Sequence, residues 1–159
     1  MAMSTVLVPA RCERDFACAR ALFVEYADQL GFDLCFQGFD AELNALATMY
    51  GPPSGWLSLA RHGDEYVGCV GVRRFSADEC EMKRLYVRSS VRGHGIGFRL
   101  AQAAIDAARA IGYRRMLLDT LGTMVAARKM YVALGFVEIP AYYNNPMAGV
   151  AYMALDLSA

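Results

Sequence analysis

The chain passes from a predicted strand into a predicted helix through Arg92-Gly93-His94-Gly95-Ile96-Gly97, residues 92–97. Glycine lets the backbone approach a ligand closely, and the first amides of a helix have no hydrogen-bond partner within that helix. These amides point at an incoming anion with the positive end of the helix dipole behind them. The segment is therefore a candidate cradle for a pyrophosphate group.

Two other phosphate-binding motifs do not fit this loop. The dinucleotide fingerprint GxGxxG requires a glycine where the chain has Phe98, and it leaves its strand directly. A P-loop ends in Gly-Lys followed by Ser or Thr, which the segment lacks. A glycine-rich loop that only turns the chain remains as an alternative. Against it stands a local cluster of basic residues, some of which could pair with phosphates: Lys83, Arg84, Arg88, Arg92 and Arg99.

Apolar periodicity around the loop predicts alternating strands and helices. From Gly95 apolar residues recur at helical spacing as far as Ile111, and Gly112 follows where a C-terminal cap belongs. A buried strand is expected over 114–119, so that strand, helix and strand form a right-handed crossover between parallel neighbours. Three strands precede the loop and form an antiparallel meander, at 56–61, 66–75 and 80–87.

The remaining elements complete a mixed α/β fold. Helices are expected at about 13–30, from about 40 to before Pro52, and at about 123–134, and further strands at 5–8, 136–141 and 150–157. The prediction is a mixed, largely antiparallel central sheet of six to seven strands flanked by about four helices, and not a doubly wound sheet. With 159 residues and 56% hydrophobic content, the chain is expected to form a single domain over 1–159.

Composition argues against several classes of function. Sixteen basic and sixteen acidic side chains cancel, so no global field is expected to recruit nucleic acid or a membrane surface. The five cysteines are odd in number and show no CxxC pair, which argues against a disulfide framework or a zinc site. No signal peptide and no membrane-spanning segment are predicted. We expect a cytoplasmic protein, a monomer or homodimer, without a metal.

Three motifs follow one another along the chain. The first is Glu-Met-Lys-Arg-Leu-Tyr-Val at 81–87, the second is Arg-x-x-Gly-x-Gly at 92–97, and the third is Ala-x-x-x-Tyr-x-x-x-Gly-Phe at 127–136. In this order they resemble the fourth strand, the phosphate motif and the closing helix of the GNAT superfamily of N-acetyltransferases. With the order of elements, the resemblance covers most of the chain from Trp56 onward.

The resemblance implies acetyl-CoA as the acyl donor and a bulge near 85–87 that splays the fourth and fifth strands. A backbone amide at this bulge would stabilise the developing oxyanion. Many members of the family have an asparagine where this chain has Met124, whose side chain has no donor for the pantetheine amide. The residues implied to bind the donor are Leu85, Tyr86 and Val87 for the pantetheine arm, and Arg92, Gly93, His94, Gly95, Ile96, Gly97 and Phe98 for the pyrophosphate.

Two residues are candidates for proton transfer. Glu81 matches a glutamate of the family, and strand alternation is expected to place it on one side with Lys83, Leu85 and Val87. It could take a proton from the acceptor amine, directly or through a water, or it could simply pair with a basic neighbour. The resemblance places Tyr131 beside the sulfur as a proton donor to the thiolate, and the alternative is an ordinary aromatic of a helix face.

The acceptor is expected to enter between the N-terminal helices and Tyr142-Tyr143-Asn144-Asn145-Pro146. The resemblance implies direct transfer of an acetyl group to a primary amine of a small molecule or peptide, for example an amino acid or an antibiotic. Two alternatives stay open. The same loop would accept a different acyl-CoA, and Met124 favours a non-catalytic acyl-CoA sensor.

Overall fold

A seven-stranded sheet crosses the molecule in a computed structural model, which describes residues 4–30, 38–121 and 123–158. The strands are β1 (Thr5–Pro9), β2 (Trp56–His62), β3 (Glu65–Arg74), β4 (Glu79–Val87), β5 (Arg115–Thr120), β6 (Val137–Ile139) and β7 (Ala151–Asp156). Their order in the sheet is β1-β2-β3-β4-β5-β7-β6. Neighbours are antiparallel except β4 and β5, which run parallel. The predicted mixed, largely antiparallel sheet is confirmed.

Five α-helices flank the sheet within the described ranges. They are α1 (Glu13–Leu30), α2 (Phe39–Asn44), α3 (Leu46–Met49), α4 (Ile96–Ile111) and α5 (Val125–Ala133). The prediction of a single helix from residue 40 to before Pro52 is wrong in one respect. Ala45, with φ −131° and ψ 26°, leaves the helical region and divides it into α2 and α3.

Each face of the sheet has its own apolar core. On one face α4 packs on β2, β3 and β4, and this α4 core includes Val70, Leu100 and Met116. On the other face α1 packs on β3 and β4, and this α1 core includes Phe23 and Leu59. Burial of one such aliphatic or aromatic side chain stabilises the fold by about 1.5–3 kcal/mol, so the two cores hold the helices against the sheet.

Strand β4 contains a bulge centred on Arg84. Pairing with β3 changes from Gly71–Lys83 to Cys69–Tyr86, so two residues of β4 lie opposite one residue of β3. Arg84 has a φ of 60°, in the left-handed region that few residues other than glycine adopt. The bulge begins one residue before the position that the resemblance implied.

The bulge reverses the alternation of side chains along β4. Before it, Met82 packs in the α4 core, so its neighbours Glu81 and Lys83 face the α1 side of the sheet. After it, Leu85 and Val87 pack against the α4 core. The expectation that Glu81, Lys83, Leu85 and Val87 share one side is therefore wrong, because the extra residue shifts the alternation by one.

Strands β4 and β5 separate shortly after they meet. Their pairing runs from Glu79–Arg115 to Glu81–Leu117, and no later pair occurs among the described residues. The splay between the two strands therefore begins before the bulge and opens the sheet toward the carboxyl ends of both strands.

Candidate active site

The glycine loop ends at an uncapped helix terminus. Gly93 and Gly95 have φ values of 87° and 74°, which glycine adopts without strain. Gly95 is the N-cap residue of α4, and no described side chain caps that terminus with a hydrogen bond. Nε of Arg92 donates to the Val87 carbonyl at 2.8 Å, which ties the loop to the end of β4. The first amides of α4 are therefore suited to an anion.

The side chains of the loop contribute little enclosure. His94 is exposed and Phe98 is 45% exposed, whereas Ile96 is buried in the α4 core and anchors the first turn. A Cβ on Gly97 would lie 3.8 Å from Cγ2 of Val87, an ordinary contact distance. The loop thus offers mainly its backbone to a ligand.

The end of β4 has one paired edge and one open edge. Tyr86 and Val87 pair with Cys69 and Gly68 of β3, and their other edge faces the splay. The Tyr86 hydroxyl donates to Oε2 of Glu25 at 2.7 Å, so this side chain points to α1 and away from the α4 side. An open strand edge of this kind can pair with an extended ligand through its main chain.

A cavity occupies the splay between β4 and β5. Its wall is formed by β4, β5, α5, the end of α1 and the connection between β6 and β7. Residues that line it include Tyr26, Lys83, Leu85, Asp119, Tyr131 and Asn145. The tyrosine predicted as a proton donor therefore lies at the same cavity as the bulge.

Tyr131 is almost fully buried on α5. Its ring packs edge-on against Phe136, with 5.6 Å between the ring centroids. Burial raises the pKa of Tyr131 above its usual value, and the nearby Tyr26 and Asp119 raise it further. Like an ordinary phenol, the hydroxyl is protonated at neutral pH, and it is able to donate a hydrogen bond.

Met124 is the N-cap residue of α5 and lines the same cavity. The Thr120 hydroxyl donates to its sulfur at 4.0 Å. The thioether makes this part of the wall apolar, where an asparagine would offer an amide donor.

Glu81 is buried on the α1 side of β4, and both of its oxygens are engaged. Oε1 accepts from Nε of Arg73 at 3.1 Å, and Oε2 accepts from the Tyr142 hydroxyl at 2.8 Å. It lines a second cavity, which shares Lys83 with the first but is not lined by Tyr131. The structure therefore does not bring the two predicted proton-transfer residues together at one cavity.

Asp119, at the end of β5, has a role that the sequence alone did not suggest. Its Oδ2 accepts from the Tyr143 hydroxyl and, at 3.0 Å, from Nδ2 of Asn145, while Nζ of Lys83 lies 3.8 Å from Oδ1. Burial lowers the pKa of Lys83, as does Arg84, and Asp119 opposes them. The sequence carries one signal for Asp119, because an acidic residue stands at the carboxyl end of a predicted strand next to the expected splay. Sheets of α/β proteins bind ligands at the carboxyl ends of their strands.

Glu42 anchors the bulge from α2, with a side chain that is 0% exposed. Its oxygens accept from Nε and Nη2 of Arg84, both at 2.9 Å, and Oε2 also accepts from the Tyr50 hydroxyl at 3.0 Å. Burial alone raises the pKa of Glu42, but the hydrogen bonds and charge of Arg84 outweigh it and hold the pKa below its usual value. Nothing in the sequence distinguishes Glu42 from a solvent-exposed helical glutamate.

Several other features bear on the class of site. Across 4–30, 38–121 and 123–158, no group of three or more His, Cys, Asp or Glu side chains is placed to hold a metal ion. In these ranges no helix is long and apolar enough to cross a membrane.

Cys69 and Cys80 are buried, and burial raises the pKa of both thiols, that of Cys80 to about 12. Cys35 lies outside the described residues.

Comparison with known families agrees with the fold. The sequence model of the acetyltransferase (GNAT) family matches residues 19–136 of the chain. The protein therefore belongs to the GNAT family and is an acetyltransferase. The family that the three motifs indicated is confirmed.

One relative in sequence supports this membership, and two solved structures share the fold. An uncharacterised N-acetyltransferase of Schizosaccharomyces pombe is 42% identical over 142 residues, which cover 87% of this chain and 86% of the relative. A GNAT-family acetyltransferase of Staphylococcus aureus superposes with a TM-score of 0.79 at 17% identity, covering 97% of this chain and 99% of that one. A putative acetyltransferase of Salmonella typhimurium, solved with its cofactor acetyl-CoA, gives a TM-score of 0.66 at 17% identity, with 97% and 94% covered.

Proposed function

We propose that the protein transfers an acetyl group from acetyl-CoA directly to a primary amine of a small molecule or peptide within a ternary complex. The observation that carries the proposal is the cavity in the splay, which is lined by Tyr131 and adjoins the bulge. The acetyl-CoA bound to the structural neighbour from S. typhimurium supports the choice of donor.

The described residues suit two parts of this donor, the pyrophosphate and the pantetheine arm. The uncapped terminus of α4 suits a pyrophosphate, so we assign its binding to the loop from Arg92 to Phe98. The open edge of β4 suits the pantetheine arm, so we assign main-chain pairing to Leu85, Tyr86 and Val87. An amide at the bulge would then stabilise the negative charge that develops on the thioester oxygen.

The acceptor amine must lose a proton before it attacks. An amine with a pKa of about 10.4 requires about 4.6 kcal/mol to deprotonate at neutral pH, so a proton acceptor in the site lowers the barrier. Glu81 is poorly placed for direct uptake, because its oxygens already accept from Arg73 and Tyr142. We propose that it holds Tyr142, and with it the connection between β6 and β7, at the edge of the site.

Tyr131 is proposed as the donor to the leaving thiolate. A phenol is a weaker acid than a thiol, with ordinary pKa values near 10 and 8.5, so complete proton transfer is uphill by roughly 2 kcal/mol before the raised pKa of Tyr131 adds to that cost. A hydrogen bond from the Tyr131 hydroxyl to the developing thiolate supplies the stabilisation without complete transfer. The raised pKa of Tyr131 is consistent with a hydroxyl that donates.

A second candidate function is a non-catalytic acyl-CoA sensor, which Met124 favours. Its thioether removes a donor that many family members offer to the pantetheine amide. The presence of Tyr131 at the cavity argues for catalysis.

A CoA-release assay on the purified chain separates these possibilities. The acceptors are amines, amino acids, aminoglycoside-type antibiotics and short peptides, with acetyl-CoA and succinyl-CoA as alternative donors and calorimetry to measure donor binding. We expect release from acetyl-CoA with at least one acceptor. Tight binding of acetyl-CoA without release of CoA on any acceptor would favour the sensor. Release of CoA from succinyl-CoA alone would mean that the transferred acyl group is succinyl.

A further inference from the structure

Lys83 and Asp119 carry opposite charges and face the splay on the α1 side of the sheet. Glu81 and Leu117 form the last pair between β4 and β5, and Lys83 and Asp119 lie two residues further along each strand on the same face. Nζ of Lys83 lies 3.8 Å from Oδ1 of Asp119, and their side chains are only 4% and 10% exposed. Both residues line the cavity that Tyr131 also lines.

The carboxylate of Asp119 is held in place through one oxygen. Oδ2 accepts from the Tyr143 hydroxyl and from Nδ2 of Asn145, which fix the plane of the group. Nζ of Lys83 lies 3.8 Å from Oδ1, a distance too long for a hydrogen bond. Oδ1 is therefore the atom of this carboxylate that is placed to accept a hydrogen bond from a ligand.

The neighbouring charges restrict which amine fits against Oδ1. The other cation of the cavity, Arg84, is compensated by the two hydrogen bonds to Glu42. Lys83 lies closer to the proposed ligand position, because its Nζ is 3.8 Å from the same Oδ1 of Asp119 that a ligand ammonium would approach. A simple ammonium there would meet the like charge of Lys83 in a site shielded from water, where charge repulsion is strong.

A ligand that carries both charges removes this conflict. We propose, on the basis of the acetyl transfer proposed above, that Asp119 and Lys83 form the acceptor subsite and that its substrates are amino acids or other small molecules with an amine next to a carboxylate. The ammonium donates to Oδ1 of Asp119, and the carboxylate accepts from Nζ of Lys83. Each protein charge then keeps an opposite partner in the complex.

The subsite assigns the protons of the reaction. Asp119 takes one proton from the ammonium and releases it to solvent. The nitrogen then forms the bond to the acetyl carbon as the carbon–sulfur bond breaks. The nitrogen loses a second proton, which reaches the thiolate sulfur through solvent, while the Tyr131 hydroxyl stabilises the thiolate by a hydrogen bond. The products are the N-acetylated amino acid, CoA as the thiol and one free proton.

The first test compares substrates on the unaltered protein and so does not depend on a variant that folds. The common L-amino acids and their carboxamides, which lack only the carboxylate, are assayed for CoA release at saturating acetyl-CoA. The best amino acid is expected to exceed its carboxamide in kcat/KM by about tenfold or more, as for loss of a charge-assisted hydrogen bond. Equal or higher values for the carboxamides would overturn the proposal.

The second test removes each charge. Lys83→Met is expected to raise KM for the amino acid by about tenfold and to abolish the preference over the carboxamide, whereas Asp119→Asn is expected to lower kcat for both. Lys129→Met, which removes the chain's other lysine on the exposed side of α5, is the matched control. Acetyl-CoA affinity is measured for every variant and is expected to stay unchanged.

The outcomes separate this inference from the proposed function. Release with amines or carboxamides but without preference for a carboxylate, or an unchanged amino-acid KM in a folded Lys83→Met, overturns the acceptor subsite and leaves the acetyl transfer standing. Absence of release with every acceptor, despite bound acetyl-CoA, overturns both.

Discussion

The proposed donor half and the proposed acceptor half of this site are built in opposite ways. The donor half, residues 85–98, is one continuous stretch that offers main-chain groups at a strand edge and a helix terminus. The acceptor half collects side chains from separate elements, with Lys83 on β4, Asp119 on β5 and Asn145 in the connection between β6 and β7. It is supported by the ion pair of Glu42 on α2 with Arg84, the neighbour of Lys83 on β4. A backbone site depends mainly on local conformation, whereas a side-chain network depends on every element that supports it.

The largest effect is expected in the acceptor half, from Glu42→Gln. This change leaves Arg84 as a buried charge without its counter-ion, so the free energy of unfolding should fall by about 3–5 kcal/mol. Urea denaturation at neutral pH measures it. Asp40→Asn, at an exposed position of the same helix, is the control and should change stability by less than about 0.5 kcal/mol. A loss no larger than that of the control would show that the network does not support the acceptor half.

Tyr131→Phe tests the point where the two halves meet. Loss of the hydroxyl should lower kcat by a factor on the order of 100 with little change in acetyl-CoA affinity, since we propose that the donor half binds acetyl-CoA through its backbone. Steady-state kinetics and calorimetry give the two quantities. Tyr113→Phe, which removes a hydroxyl bonded to the Ser54 carbonyl away from the cavity, should leave kcat unchanged. An unchanged rate in Tyr131→Phe would remove Tyr131 from the mechanism.

Acid should weaken the acceptor half through Glu42. Because the folded-state pKa of Glu42 is lower than its ordinary value of 4.5, its ion pair stabilises the fold above that pH, and the stabilisation is lost as pH falls through the folded pKa. Below about pH 4.5 the stability should therefore decline by up to about 1.4 kcal/mol per pH unit from this group. The decline should be shallower in Glu42→Gln. If stability falls with pH equally steeply in the unaltered protein and in Glu42→Gln, the acid sensitivity comes from other titratable groups.

The smallest effects are expected in the donor half, from paired glycine substitutions. Gly95→Ala places a side chain at a φ of 74° and should cost about 1 kcal/mol of stability. Gly97→Ala lies within the helix, where its Cβ meets nothing closer than 3.8 Å, and should stabilise by about 0.5–1 kcal/mol. Thermal or urea unfolding of both variants gives the comparison. Equal changes in the free energy of unfolding would mean that the donor half does not depend on the left-handed backbone conformation of Gly95.

The difference between the halves also explains what sequence reasoning found. The prediction of a helix over 13–30 matches α1, and Gly112 caps α4 with a φ of 109°. Both features depend on neighbours in the chain, which a periodicity or a cap residue reveals. The side on which Leu85 lies was predicted wrongly, because one bulge residue changes the alternation and leaves no mark in composition.

The sequence by itself determined the order of the elements, the parallel crossover and the family, since apolar spacing and the glycine loop are local properties of the chain. The pairing of Lys83 with Asp119, the engagement of Glu81 and the burial of Glu42 were decided only by the tertiary structure. These contacts join residues that are between 8 and 61 positions apart in the chain. Their geometry depends on how the strands splay and how α2 packs, and no local pattern encodes such distances.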